Sequence, residues 1–486
     1  MGSIFHDYRR KVGQRLALAM MTPACAWLAG CASPQEAVQV PNPVTPGTWS
    51  QPAPATAAPP PPGVALPAFD AAWWSRFGSP ELDGLVERAQ RQSLDLAAAV
   101  ARVRQAQAVA HAAGAALLPE LQAGLDAQRE DRLRDSAALV EGARFGATLA
   151  ASYEVDFWGG NRAARDAGLA TLQASRFDRD TVRLALTAAV SSAWLQAVSA
   201  SERLDIAQRN LASAQQVLSI VEARRRAGAA VALEVAQQRG LVAAQRRALA
   251  AVRQEDRDAR ATIALLLGQM EPVELQADSL RSVRTPSIGP GLPSELVARR
   301  PDIARAQARL AAADADVTAA RAAMLPSVRL GAGIGTGGDR WRAVLDDPIY
   351  SVAAALVAPI FDAGRLAAGH AQAQARREEL LADYRGAIVA AFDDVERALN
   401  ALSGARAEAA AQADELQQAR HALDLAEARY RAGAEPMLTL LDAQRTLYAA
   451  QDLAVQLHQR ELQSAVALYR ALGGGWSAEA TELTAR

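Results

Sequence analysis

The sequence predicts a mainly α-helical protein with a β-barrel part, built from two copies of one helix–β-hairpin–helix unit. Three observations carry that expectation. Turn and breaker residues recur in the same order in both halves of the chain. Within each half a helical hydrophobic period gives way once to strand alternation. Two long stretches lack proline altogether, which leaves room for unusually long helices.

The duplication is read first from the turns. Leu94-Asp95-Leu96 through Leu118-Pro119 aligns without a gap on Pro301-Asp302-Ile303 through Leu325-Pro326, an offset of 207. Arg226-Ala227-Gly228 matches Arg431-Ala432-Gly433 at an offset of 205. Leu211, Ala214, Leu218 and Val221 fall on Leu416, Ala419, Leu423 and Ala426 in that register. Alanine-rich helices match by chance easily, so the ordered turns weigh more than the apolar positions.

Each copy opens with a helical pattern, residues 81–117 and 295–324, stopped by Pro119 or Pro326. Strand alternation follows in Phe145, Ala147, Leu149, Ala151, Tyr153 and Val155, and again in Val352, Ala354, Leu356, Ala358 and Ile360. Partner strands start near Leu121 and Val328, with loops over Asp131 to Gly142 and Gly335 to Pro348. Proline is then absent from 120 to 271 and from 360 to 435. A helix from Ala163 to Ala227 would be about 97 Å long. Each long helix breaks at its Arg-Ala-Gly and returns as a shorter one, Leu233 to Leu267 and Met437 to Leu472. Leu204, Leu211 and Leu218, with Ala207, Ala214 and Val221, form a coiled-coil seam.

The N-terminus sets the compartment. Arg9, Arg10, Lys11 and Arg15 precede an apolar stretch from Leu16 to Gly30, a secretory signal too short to span a membrane. It ends in Leu28-Ala29-Gly30-Cys31, which looks like a bacterial lipobox: the Cys31 sulfur receives a diacylglycerol, cleavage makes Cys31 the new N-terminus, and its amine is acylated. Ala32 in place of an aspartate favours sorting to the outer membrane, and Cys25 is lost with the signal, so no intrachain disulfide is expected. Residues 32–67 hold eleven of the 23 prolines and read as an extended tether without a core. The domain reading is a signal peptide at 1–30, a lipidated tether at 31–67, a first repeat at 68–275 with its hairpin at about 121–156, a second repeat at 276–475 with its hairpin at about 327–361, and a tail at 476–486.

Composition excludes several classes. Fifty-two basic and 53 acidic residues leave a net charge of −1, interspersed along the chain, so nothing favours a nucleic-acid partner. His6, His111, His370, His421 and His458 are scattered, no cluster has metal-ligand spacing, and no enzyme, cofactor or metal is expected. His458 and Glu461, three apart, read as a surface contact. Gly331, Gly333, Gly335, Gly337 and Gly338 alternate within an expected strand with no Lys-Ser/Thr after them, which speaks against a phosphate loop. Two isolated hairpins cannot satisfy their edges in a bilayer, where only a closed barrel survives. Four strands per chain are too few to close one, so several chains must contribute.

Trp73-Trp74 with Phe77 and Pro80-Glu81-Leu82, Arg299-Arg300-Pro301-Asp302, Phe361-Asp362-Ala363-Gly364-Arg365, Asp394-Val395-Glu396-Arg397-Ala398-Leu399, and Arg429-Tyr430-Arg431-Ala432-Gly433 before Leu438-Thr439-Leu440-Leu441-Asp442-Ala443-Gln444 resemble the TolC-like outer-membrane efflux proteins, in their lipoprotein branch. The likeness covers roughly residues 70–475. It implies a homotrimer with a twelve-stranded outer-membrane barrel (four strands per chain) and a helical periplasmic tunnel, exporting small molecules passively. It also implies a periplasmic adaptor protein and an inner-membrane pump of the resistance–nodulation–division type as partners. A protein-secretion duct, or a coiled-coil envelope spacer, are the alternatives; a spacer needs no barrel.

The same resemblance places Asp442 on the family's gate aspartate and Glu234 on the equivalent acid of the first copy. Three copies of each acid around one axis make a ring that repels anions and pairs with arginines. Arg429, Arg431, Arg225 and Arg226 are candidates for salt bridges that close the tip, with Tyr430 hydrogen-bonding across it. Read without the resemblance, these are solvated charges on helix faces. Thr439 stands where relatives place a second aspartate, which suggests a single ring.

Overall fold

The computed structural model describes residues 47–50, 72–130, 142–289, 291, 293–341 and 347–477. Cys31, the signal segment, nearly all of the tether, most of the tail and the tips of both hairpin loops lie outside the described residues.

After a single 3₁₀ turn at Trp73–Phe77, the elements run α1 (Pro80–Gln92), α2 (Leu94–Ala115), β1 (Glu120–Glu130), β2 (Gly142–Val155), α3 (Gly160–Arg226) and α4 (Ala232–Leu266). The second copy supplies α5 (Leu296–Arg299), α6 (Pro301–Ala322), β3 (Ser327–Gly338), β4 (Ile349–Val357), α7 (Arg365–Arg431) and α8 (Met437–Ala471). Both α3 and α7 are 67 residues long, about 100 Å at the α-helical rise. The first helix of each copy is broken where the periodicity read it as continuous. Ser93 and Arg300 hold equivalent extended positions before Leu94 and Pro301, so both copies break where the second carries a proline.

Glycine punctuates the two copies identically. Gly159 and Gly364 precede the long helices, Gly228 and Gly433 end them, and Gly268 and Gly473 end the short ones, each pair 205 positions apart and every one with positive φ. At the ends of α3 and α7 the closing bonds match: Gly228 and Ala229 donate to Arg225 and Arg224, as Gly433 and Ala434 donate to Tyr430 and Arg429. That is the Schellman arrangement, which needs a left-handed residue after the helix.

The four strands form one antiparallel sheet in the order β1-β2-β3-β4. Beyond it α3 and α6 pack side by side, with α2 against α3 and α7 against α6. On the other side of a broad waist the hairpins α3–α4 and α7–α8 join through α3 and α8. The waist holds the main core: Trp73, Phe77, Trp194, Leu267, Ile303, Val395 and Tyr469 are buried together, and Trp73 stacks on Tyr469 at 5.0 Å. One window of α3 is apolar enough to cross a membrane, yet 67% of it is buried in this packing, as suits a core helix.

Two carboxylates sew the segment between the copies onto the waist. Glu81 accepts from the Trp194 indole (2.9 Å) and the Gln276 amide (2.6 Å), and Glu202 accepts from Ser279 and Leu280. The tether is not wholly free of the core. Trp49 donates to the Gly291 carbonyl at 2.9 Å and lies 5.7 Å from Phe392, while Ser50 bonds to Glu396.

The seam on α3 also differs from expectation. Ala207, Ala214 and Val221 are buried, but Leu204, Leu211 and Leu218 are only half-buried, and Asn210 and Val217 share the centre.

Candidate functional site: conduit wall and helical tip

The sheet separates its side chains by chemistry. In register across the strands, one face carries Leu121, Ala123 and Leu125, then Leu149, Ala151 and Tyr153, then Leu330, Ala332 and Ile334, then Tyr350, Val352 and Leu356. Leu125 is 89% exposed, and Tyr350 and Val352 are each 83% exposed. The opposite face carries Glu120, Gln122, Asp126 and Gln128 on β1, Arg144, Thr148, Ser152 and Glu154 on β2, Arg329 with glycine at 331, 333, 335 and 337 on β3, and on β4 Ser351 among Ile349, Ala353, Ala355 and Val357. Glu154 and Arg329, register partners, form an ion pair at 3.1 Å. A Cβ on Gly146 would collide with the Asp126 carboxylate opposite, so glycine there makes room for the acid.

A sheet with one apolar face exposed to its surroundings, and an opposite face that gathers the charged and polar side chains of β1 and β2, is built to divide hydrocarbon from water. Its outer strands β1 and β4 pair with nothing further among the described residues, which leaves two open edges.

At the waist, the two motifs Arg-Arg-Pro-Asp and Asp-Val-Glu-Arg-Ala-Leu meet on one side chain. The buried Arg300 guanidinium binds Asp302 at 2.6 Å and Asp394 at 3.0 Å and donates to the Ala471 carbonyl at 3.1 Å. Burial alone would lower its pKa, but the bonds to Asp302 and then Asp394 outweigh it and raise it. For Asp302, burial raises the pKa and the bond to Arg300 more than reverses it, leaving the carboxyl below its ordinary range. This site ties α6 to α7 and α8.

The tip lies where α3 turns into α4 and α7 into α8. Tyr430 is buried in a cluster with Val221, Val235, Met437 and Leu441. Its hydroxyl has no hydrogen-bond partner, and burial, then the Glu234 charge, push its pKa up against the opposing Arg224. Glu234 is half-buried, while Asp442 is exposed. Arg429 pairs with Glu435 at 2.9 Å and Arg431 with Glu427 at 2.8 Å, each an acid of its own segment. The Arg429 bond, followed by one from Thr439, holds the Glu435 carboxyl below its usual range.

Comparison with known proteins bears on this geometry directly. The family model described as outer membrane efflux protein matches residues 85–269 and 292–474, one segment in each copy. The chain belongs to the outer membrane efflux protein family. The pyoverdine export outer membrane protein OpmQ of Pseudomonas putida is 50% identical over 424 residues, covering 85% of this chain and 90% of that one. The outer membrane protein OprJ of Pseudomonas aeruginosa is 32% identical, covering 85% and 88%. Among solved structures, the outer-membrane channel OprN superposes with a TM-score of 0.78 at 30% identity, covering 84% of this chain and 94% of that one. The protein is thus an outer-membrane efflux channel of a tripartite system, and its helices extend into the periplasm.

With the family in hand, the expected tip residues sort differently from the sequence reading. Asp442, Glu234, Tyr430, Arg429 and Arg431 do gather at one end of the molecule, on the two helix turns. Glu234, however, is not the repeat counterpart of Asp442. It is the third residue of α4 and Asp442 the sixth of α8, so the 205-residue register set by Gly228 and Gly433 pairs Glu234 with Thr439 and Asp442 with Gln237. The acids therefore sit about one helical turn apart along the tube axis. Within the chain Arg429 and Arg431 are already paired locally, and Tyr430 reaches no partner through its hydroxyl. Arg224 was not singled out from the sequence; it touches Tyr430, and the run Arg224-Arg225-Arg226 gives no residue-level sign of which arginine points inward.

Proposed function

We propose that three copies of this chain close into one duct: a twelve-stranded barrel through the outer membrane continued by a helical tunnel, anchored by a lipid on Cys31 and doing no chemistry of its own. The observation that carries this reading is the segregated four-stranded sheet with both edges open. A β4 edge meeting the next copy's β1 edge removes every exposed edge at once and puts all apolar faces outward. The helices support the same closure, because α2, packed on α3, and α7, packed on α6 and α8, still leave apolar side chains uncovered: Val109 on α2 and Val389 on α7 stand 61% and 69% exposed. At the far end three Asp442 side chains would form the charged ring of a periplasmic gate, with three Glu234 one turn away.

Such a duct takes its energy from elsewhere, so its partners are a periplasmic adaptor docking at the tip and an inner-membrane pump. The resemblance favours a pump of the resistance–nodulation–division type. The half-identical relative named for pyoverdine export suggests a siderophore-class cargo. Deleting the gene and assaying siderophore in periplasmic and extracellular fractions tests this. Periplasmic accumulation restored by the intact gene supports the reading. Unchanged export, with no sister duct replacing it, contradicts it.

A further inference from the structure

The junction between the two hairpins at the tip holds a contact that the charged ring leaves unexplained. Arg224, in the last turn of α3, crosses to the end of α7, where its Nη1 donates to the Tyr430 carbonyl at 2.6 Å. The guanidinium lies over the Tyr430 ring, 4.7 Å from its centroid. That carbonyl lies in the last turn of α7, where the helix dipole favours a cation, and it also accepts from the Gly433 amide at 3.0 Å. Yet the contact is incomplete: Arg224 Nε and the Tyr430 hydroxyl are both buried without a hydrogen-bond partner.

The duplication explains why this arginine crosses. Its counterpart is Arg429, which is held by Glu435 in its own turn. The position equivalent to Glu435 in the first copy is Ala230, so Arg224 has no such local acid and reaches the other hairpin instead.

We propose that Arg224 is the latch holding the α3–α4 hairpin to the α7–α8 hairpin in the closed tip, acting on the ring face and backbone of Tyr430 and not on its hydroxyl. The proposal rests on the gate reading and deepens it. Separation of the hairpins hydrates both orphaned atoms, so the closed form lacks two hydrogen bonds that the open form makes. A contact of that kind is strong enough to hold and weak enough for a docking partner to release.

The test uses the full-length trimer in planar bilayers, with assembly checked by its mass in detergent. Arg224→Ala is expected to raise open probability about tenfold, since it removes a cation–π contact and a charged hydrogen bond. Arg224→Lys keeps the charge without the planar stack and is expected to fall between. Tyr430→Phe keeps both ring and carbonyl and should stay as closed as the parent, whereas Tyr430→Ala should open. Opening by Tyr430→Phe to the level of Arg224→Ala overturns the proposal, because the hydroxyl would then be the working group. Block by divalent cations is recorded in Asp442→Ala as an independent readout of the ring. Block lost there, with Arg224→Ala and Arg224→Lys both unchanged, overturns the latch and leaves the gate. No change in any of these variants overturns both.

Discussion

Ser351 and Val352 are neighbours in β4 whose side chains stand on opposite faces of the sheet, Ser351 beside Gly333 and Val352 beside Ala332. Both lie near the middle of the strand, so both sit near the bilayer midplane if the sheet is a barrel wall. Arginine at 352 would face hydrocarbon, at a cost of about 2–4 kcal/mol per chain, or about 6–12 kcal/mol for three symmetric copies. Arginine at 351 would face water beside a glycine, with space and solvent for the charge, and should cost under about 1 kcal/mol. Urea titration of the trimer folded into lipid vesicles measures both, and outer-membrane fractions report whether each variant assembles in cells. Val352→Arg should fail or shift the midpoint strongly, while Ser351→Arg assembles. Equal penalties, or the reverse order, would refute the assignment of the faces.

Two further outcomes follow from the packing. Arg300→Ala strands Asp302 and removes the bonds from the start of α6 to Asp394 of α7 and the Ala471 carbonyl of α8, and should cost about 3 kcal/mol in thermal unfolding of the trimer. Asp302 has a lowered pKa, so its contribution is present above the ordinary carboxylate value and lost as pH falls through the lower folded value. Stability from this network should thus be flat from pH 8 to about 5 and fall below about 4, and Asp302→Asn should remove that acid slope. Alanine at Gly228 or Gly433 meets no atom within 4 Å, so each substitution should cost only the left-handed backbone, about 1–2 kcal/mol. Unequal costs at the two turns would show that one is held by more than its own conformation.

Much of the fold was legible because its punctuation is chemical. Proline and left-handed glycine mark helix ends in both copies, and two-residue alternation marks the strands. Where the reading slipped, a neighbour decided the outcome. β3 continues through Gly335 to Gly338 because β2 holds it in register, although glycine itself has little strand preference. β4 stops at Val357, short of the alternation that runs to Ile360, because Pro359 brings no N–H to a ladder. The tip was legible only as a place. Which acids are equivalent follows from the register of two turns, and which of three successive arginines points inward follows from a rotation of about 100° per residue that only packing fixes.

The central claim is one shared pore made by three chains, and single-channel recording of the purified full-length protein tests it most directly. One pore per trimer predicts that each insertion gives a single indivisible conductance level. Steps arriving as three equal sublevels would mean a separate pore in each chain, and the absence of any channel from correctly assembled trimers would contradict the duct itself.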